Sequence, residues 1–276
     1  MTMLGAMASG GDSQALGQLL RSRRERLTPA DVGLPPGARR RTSGLRREEV
    51  AQLANVSVTY YTFLEQGRPV RPSEQVLDAL ATALRMTPAE RGYLLALAYG
   101  PDDAAAPATR AAEPGPERVS ASVADLVQRL EPYPTLVKGR RWDILVANPA
   151  ARELFGDWSG EPDGEPKNLV RWMFTSPAAR EVHLEWEPEA RAMLGRFRLA
   201  AARHPDDPGL ADLIAELRRE SPHVREWWPS HDVTAIGGDG TKKLRHPLRG
   251  PTEYAHAILQ VADNPDHVLV TYSPVG

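Results

Sequence analysis

The chain has 276 residues, a formal net charge of −2, 41% hydrophobic and 25% charged residues, which gives room for two domains and the balance of a soluble globular protein. It contains no cysteine, which excludes disulfides, thiol nucleophiles and cysteine-ligated zinc or iron–sulfur centres. No apolar run nears the ~18 residues of a membrane span, and the opening MTMLGAMASGGDSQ lacks the basic-then-apolar pattern of a secretory signal, so a cytoplasmic protein with no membrane partner is expected.

Residues 1–12 are expected to be disordered. A first helix is predicted from Ser13 to Leu27, with Leu16, Leu19, Leu20 and Leu27 inward. Thr28 to Ser43 is a long connection holding Gly33, Pro35, Pro36, Gly37 and the triplet Arg39–Arg41. Beside a DNA-binding motif such a loop suits a phosphate or minor-groove contact; otherwise it is a disordered basic insert. Residues 46–67, RREEVAQLANVSVTYYTFLEQG, read as two short helices and a tight turn. Val50, Ala51 and Ala54 share one face, and Asn55 tolerates the left-handed turn. Ser57 is an N-cap for the second helix, which stops at Gly67. Tyr61 and Leu64 pack inward with Val56, which turns Val58, Thr59, Tyr60, Thr62 and Phe63 outward. An uncharged outward face of that kind suits a helix in a DNA major groove, where methyls meet thymine and hydroxyls meet base edges. The competing reading is an ordinary helical hairpin with its aromatics in the core.

Charge favours the first reading. Nine Arg and no Lys lie between Arg21 and Arg47, against Glu25 and Asp31, and guanidinium is suited to phosphate. Residues 1–100 carry 13 basic and nine acidic side chains, and the remainder carries 21 and 27. A near-neutral total therefore conceals a basic first half, attractive to nucleic acid through counterion release. Ser73 caps a fourth helix with Val76, Leu77, Leu80, Ala81 and Leu84 inward. Thr87-Pro88-Ala89-Glu90 is a capping box opening a fifth, which ends at Tyr99-Gly100. Residues 101–118, rich in Ala and Pro, form a linker.

From Val119 an amphipathic helix carries Val123, Leu126, Val127 and Leu130. Strands are predicted at Thr135–Val137 and Trp142–Val146, then a helix opened by Asn148-Pro149. Further helices follow over Asn168–Phe174, Pro188–Arg203 and Asp207–Ser221. Terminal strands are expected at Asp232–Ile236, Thr241–His246, Tyr254–Val261 and His267–Ser273. This is an α+β domain over 119–276, and a curved antiparallel sheet with helices at its mouth makes a small-molecule cavity.

The run Gly44-Leu45-Arg46-Arg47-Glu48-Glu49-Val50-Ala51, then Val56-Ser57, Tyr60-Tyr61, Leu64-Glu65-Gln66-Gly67-Arg68, Pro72-Ser73 and Val76–Ala81 resembles the MmyB-like branch of xenobiotic-response-element helix-turn-helix regulators. Asn55 stands where that branch more usually has Gly; both permit the turn. The second half resembles it more sparsely, through Asp143, Asn148, Ala150, Asn168, Arg171, Phe174, Trp186-Glu187, Asp206-Asp207-Pro208, Trp228, His231-Asp232-Val233, His246-Pro247 and Gly250. The resemblance covers nearly all of residues 13–274. It implies an all-α five-helix lambda-repressor-like domain over 13–100, followed by a PAS-like ligand-binding and dimerisation domain over 119–276. It further implies a homodimer on double-stranded operator DNA and a fatty acid or similar amphipathic ligand.

Carried over residue by residue, it makes Arg47 a phosphate contact at a helix start, with Arg46 beside it and Arg40 and Arg41 in the extended loop. Ser57, Val58, Thr59, Tyr60, Thr62 and Phe63 are then the reading helix, and Arg68 and Arg71 touch backbone where the chain leaves it. Trp142, Asn148, Arg171, Trp172, Trp186, Trp228 and His231 become the ligand-binding candidates. Each has a structural alternative: core for the tryptophans, an ion pair for Arg171, a cap for Asn148 and the ordinary scatter of histidines for His231.

An enzyme reading finds little. All seven His lie beyond residue 182 but without His-x3-His or His-Glu-x-x-His spacing. Gly237–Gly240 lacks the Gly-Lys-Ser/Thr ending of a phosphate loop, and Ser159-Gly160 is no nucleophile elbow. No catalytic residue, metal or cofactor is expected. The expectation is a ligand-responsive transcription regulator. The alternatives are a DNA-binding scaffold whose second domain only dimerises, and an enzyme domain carrying a DNA-binding module.

Overall fold

The computed structural model describes residues 12–35, 44–100, 117–156, 167–233 and 239–276. Arg40 and Arg41, with the rest of the basic loop and most of the linker, lie outside them, as does nearly all of the N-terminal segment expected to be disordered. The chain divides into two compact units that do not follow chain order. The first comprises residues 1–106, 198–208 and 226–235, and the second 107–197, 209–225 and 236–276.

The first unit contains α1 (Ser13–Arg26), α2 (Arg47–Leu53), α3 (Val58–Glu65), α4 (Glu74–Ala83) and α5 (Pro88–Tyr99). The caps are local and follow from residue type. Asp12 accepts from the Ala15 amide, Ser57 from Tyr60, Ser73 from Val76 and Thr87 from Glu90. Asn55 turns between α2 and α3 at φ 52°. Leu16, Leu19, Leu20, Leu45, Val50, Tyr61, Leu64, Leu77, Leu80 and Leu94 form one buried cluster. A side chain at Gly17 would stand 2.7 Å from the Glu65 carbonyl oxygen, so glycine lets α1 close onto the end of α3.

Ion pairs fasten the same helices. Arg24 on α1 binds Glu65 through Nε at 2.6 Å and Nη2 at 3.1 Å, and the Leu45 carbonyl through Nη1 at 2.9 Å. Arg47 on α2 joins the same carboxylate at 2.9 Å. Burial disfavours the Glu65 charge, but Arg24 and Arg47 outweigh burial and hold this carboxyl below the usual range. Arg23 ties α1 to Glu90 at 2.7 Å and to the Arg85 carbonyl at 3.0 Å.

The second unit holds α6 (Ala121–Arg129), β1 (Thr135–Lys138), β2 (Ile144–Ala147), α7 (Pro149–Phe155), α8 (Leu169–Thr175), α9 (Pro177–Val182), most of α10 (Trp186–Ala202) and of α11 (Pro208–Glu220), the start of α12 (Pro222–Trp227), β3 (Asp239–His246), β4 (Gly250–Val261) and β5 (Asn264–Pro274). The strands form one antiparallel sheet in the order β2-β1-β5-β4-β3. Registers Lys138–Val268, Tyr272–His256 and Lys242–Tyr254 put Lys138, Tyr272, His256 and Lys242 on one face, because side chains alternate along a strand. On the other face Val137 and Leu269 pack on Val127 of α6.

Several details differ from the sequence reading, and β4 and β5 start earlier than expected, at Gly250 and Asn264. Trp142 has φ 67°, a left-handed value incompatible with a strand, so β2 starts at Ile144. His231 has φ 53°, and neither Asp232 nor Val233 is in a strand; the rest of that expected strand is not described. Asp239 and Gly240, expected in a turn, already pair with Ala257 and His256. The short helices α9 and α12 were not anticipated.

Candidate nucleic-acid interface and ligand domain

On α3 the inward and outward faces separate cleanly. Tyr61 and Leu64 are buried, whereas Ser57, Val58 and Thr59 are exposed and Tyr60, Thr62 and Phe63 are half-buried. Val58, a β-branched apolar residue, is 41% exposed, which an isolated solvated helix does not require. The Thr62 hydroxyl donates to the Val58 carbonyl at 2.8 Å, which leaves its oxygen lone pairs outward. The Arg68 guanidinium lies 4.2 Å from the Phe63 ring centroid, a contact that orders the base of the helix. Arg71 is 5.8 Å from the Tyr99 ring centroid. Arg46 is exposed, and its amide donates to Glu49 Oε2 at 2.6 Å.

The Arg47 guanidinium is held by Glu65, yet its side chain remains 43% exposed. A charge so placed has a fixed direction and an open side. Arg46, at the start of α2, and Arg68, just past the end of α3, are also exposed, so cations flank a helix whose exposed residues carry methyls and hydroxyls.

The seven ligand-binding candidates divide between the units. In the second unit, Trp142 packs edge-on against Phe197 at 5.9 Å with the Lys138 ammonium 3.7 Å from its ring centroid. Asn148 is fully buried and serves backbone: Oδ1 accepts from the Thr135 and Ala151 amides at 3.0 Å, and Nδ2 donates to the Tyr133 carbonyl at 2.8 Å. Arg171 makes a bidentate pair with Glu216 at 2.6 and 2.8 Å, which lowers the Glu216 pKa through that hydrogen bond. Trp172 meets Phe155 and His183 edge-on at 6.0 and 5.9 Å. The Trp186 indole donates to the Met173 carbonyl at 3.1 Å, with Arg180 4.2 Å from its ring.

Trp228 and His231 belong instead to the first unit. Arg198 is 4.7 Å from the Trp228 ring centroid and donates to the carbonyls of Trp228 at 2.7 Å and Asp232. His231 bridges Tyr93 Oη at 3.4 Å and Gln18 Oε1 at 3.1 Å. Arg26 pairs with Asp232, and the Ser22 hydroxyl donates to the Ser230 carbonyl at 2.9 Å. Burial, then Arg198 and Arg26, push His231 down to about 4, so its imidazole is neutral at pH 7. Residues 230–232 are thus seated on α1 and α5.

Residues that spacing did not single out meet on the sheet face opposite α6. Lys242 pairs with Glu189 of α10. His256 stacks on Tyr272 at 6.1 Å, and Tyr272 meets Phe155 at 5.2 Å. His183, 4% exposed, has an Nδ1 with no hydrogen-bond partner among the described residues; burial, then Lys242, push it down to about 4. The available signal was alternation: Lys138 follows the buried Thr135-Leu136-Val137 of β1, and Lys242 sits two residues before a buried Leu244. Among the described residues no cluster of three or more His, Asp or Glu could hold a metal, and no helix is long and apolar enough to cross a membrane.

The family described as a helix-turn-helix domain matches residues 15–94, and that described as the MmyB-like transcription regulator ligand binding domain matches residues 119–275. No curated protein matches the chain. The protein is therefore a transcription regulator with a DNA-binding helix-turn-helix domain and a small-molecule-binding domain. It belongs to the MmyB-like regulators. Neither matched family is an enzyme family, which points away from catalysis.

Proposed function

We propose that this protein acts in the cytoplasm as a homodimer that reads duplex operator DNA with α3 in the major groove. Its second domain binds an amphipathic small molecule, a fatty acid or a close relative, and the ligand alters operator affinity. The observation that supports the DNA half is the two-faced α3. Tyr61 and Leu64 anchor it, while Val58 and Thr59 stand exposed, and the part-exposed Arg47 guanidinium is held at Glu65 of the same helix. Thr59→Ala should weaken operator binding by about 1–3 kcal/mol with little change on random duplex, read by fluorescence anisotropy at fixed salt. Equal losses on both DNAs would remove α3 from the reading position.

Segments 198–208 and 226–235 support a coupled response. Both fall inside the stretch matched by the ligand-binding family, yet both belong to the unit that contains α1–α5. A ligand that favours one arrangement of α10 energetically has a covalent and hydrogen-bonded route, through Arg198, Asp232 and His231, to α1 and α5. A difference in ligand affinity between arrangements is what such a response requires.

A further inference from the structure

On its α6 side, the sheet of the second unit is covered over one half and bare over the other. α6 packs on β1 and β2, with Val127 on Val137 and Leu269. Gln128, the next residue, reaches the Ala147 carbonyl of the edge strand β2 at 3.4 Å. Residues 126 and 128 leave the helix about 100° to either side of residue 127. Leu126, 48% exposed, therefore points the opposite way, over β5 and towards β4.

There the outward row of β4 is apolar. Registers Leu259–Leu269, Ala257–Thr271 and Ala255–Ser273 put Leu259, Ala257 and Ala255 on the same face as α6, and Leu259 is 56% exposed. An antiparallel sheet that faces water carries polar residues on that side. Neighbouring β3 follows this rule, with Thr241, Lys243 and Arg245 all exposed, and β4 does not. Even the hydroxyl of Thr271 beside Ala257 is spent inside the sheet, sharing a hydrogen bond with Thr135 at 2.8 Å.

Shape and charge choose the occupant. A helix is about 10 Å thick, so α6 stands as a step beside the bare half, and a second sheet packed face to face lies about 10 Å away. Such a step fits a two-fold copy of itself: each bare half covers the other, and each β3 edge closes against the other copy's α6. An axis along the strands sets β4 over β4, where the alanines permit close approach, which is the isologous contact of a C2 dimer. The rims are balanced, with Asp125 and Arg129 on α6, and Lys243 and Arg245 near Glu185 and Glu253. Two copies thus meet without net repulsion, while a phosphate backbone or an anionic membrane finds no excess of cations. We propose that a second copy of this chain docks on the bare half of the sheet, β4 on β4, with Leu259 and Leu126 as its apolar contacts. The proposal rests on the homodimer reading given above and names its surface.

The test is sedimentation of the full chain without DNA. Wild type should be a dimer. Leu259→Arg should weaken it by about 100-fold, roughly tenfold for each of the two substituted sites in a two-fold interface. Leu248→Arg, at the β3–β4 turn and 83% exposed, should match wild type. Leu259→Arg should keep the wild-type circular dichroism; if its fold is lost, cross-linking decides instead. The chain has no cysteine, so Ala257→Cys adds one thiol per copy, and a short bismaleimide should join two copies through it, whereas Leu248→Cys should stay unjoined. A monomeric wild type overturns the homodimer reading itself and this surface with it. A wild-type dimer that folded Leu259→Arg leaves intact, or that Ala257→Cys does not join, overturns this surface alone and assigns the bare half to a different protein.

Discussion

Glu65 at the end of α3 is the most exacting test of how the reading helix is held. Its side chain is 1% exposed and contacts Arg24, 10% exposed, and Arg47, 43% exposed. Glu65→Gln removes the charge and leaves the buried Arg24 with only the half-exposed Glu25, 3.4 Å away, as a counter-ion. Breaking a buried pair from one side costs about 3–5 kcal/mol. Arg47 adds little, because an ion pair with so open a partner is worth ~0–1 kcal/mol. With a urea m-value of about 2 kcal/mol/M, the transition of the helix-turn-helix unit should move down by roughly 2 M. Arg24→Met combined with Glu65→Leu removes both charges and should restore most of the loss, since an apolar pair of similar volume is often as stable. The Glu65 contribution should be full above the usual glutamate range and fall away as pH drops through the lowered native value. Denaturation followed by circular dichroism gives all three. A loss under about 1 kcal/mol for Glu65→Gln, or no recovery in the double variant, would refute the view that this carboxylate clamps α1 to α3.

Three further outcomes follow from named contacts. Arg47→Ala should weaken binding to every DNA sequence and reduce the salt slope by about one, and an unchanged slope would show that its exposed side meets no phosphate. Asn148→Ala strands the amides of Thr135 and Ala151 in a buried site and should cost about 1–3 kcal/mol per stranded group, with Asn148→Asp recovering part by accepting from both; a neutral Asn148→Ala would mean that solvent reaches the site. His183 and His231 stay neutral in the fold down to about 4 but take up protons near 6.5 when unfolded. Stability should therefore be full above pH 6.5 and decline towards pH 4, by at most about 1.4 kcal/mol per pH unit for each group. His231→Gln should make the decline shallower between pH 6.5 and 5, and an identical slope would assign the acid sensitivity elsewhere.

The parts of this molecule legible in its sequence are those whose causes lie within a few residues. Ser57, Ser73, Thr87 and Asn148 cap helices because a short polar side chain reaches an amide three residues on, and Asn55 turns because it accepts positive φ. Tyr61 and Leu64 go inward because a 3.6-residue period and the apolar run leave no other face. The outward set on α3 could be drawn from the same period. Strand ends were less legible: Trp142 is excluded from β2 by a backbone angle that its side-chain type does not announce.

Residue type and local spacing therefore decided the longer helices, the outward face of α3 and the presence of an α+β second half. Tertiary structure decided who meets whom across long separations: Glu65 with Arg24 and Arg47, Arg171 with Glu216, His231 with Gln18 and Tyr93, and the order of the five strands. The physical reason is range. A cap or an amphipathic stripe is settled by interactions three or four residues apart, whereas a charge finds its partner only once the chain has closed a loop of tens to hundreds of residues.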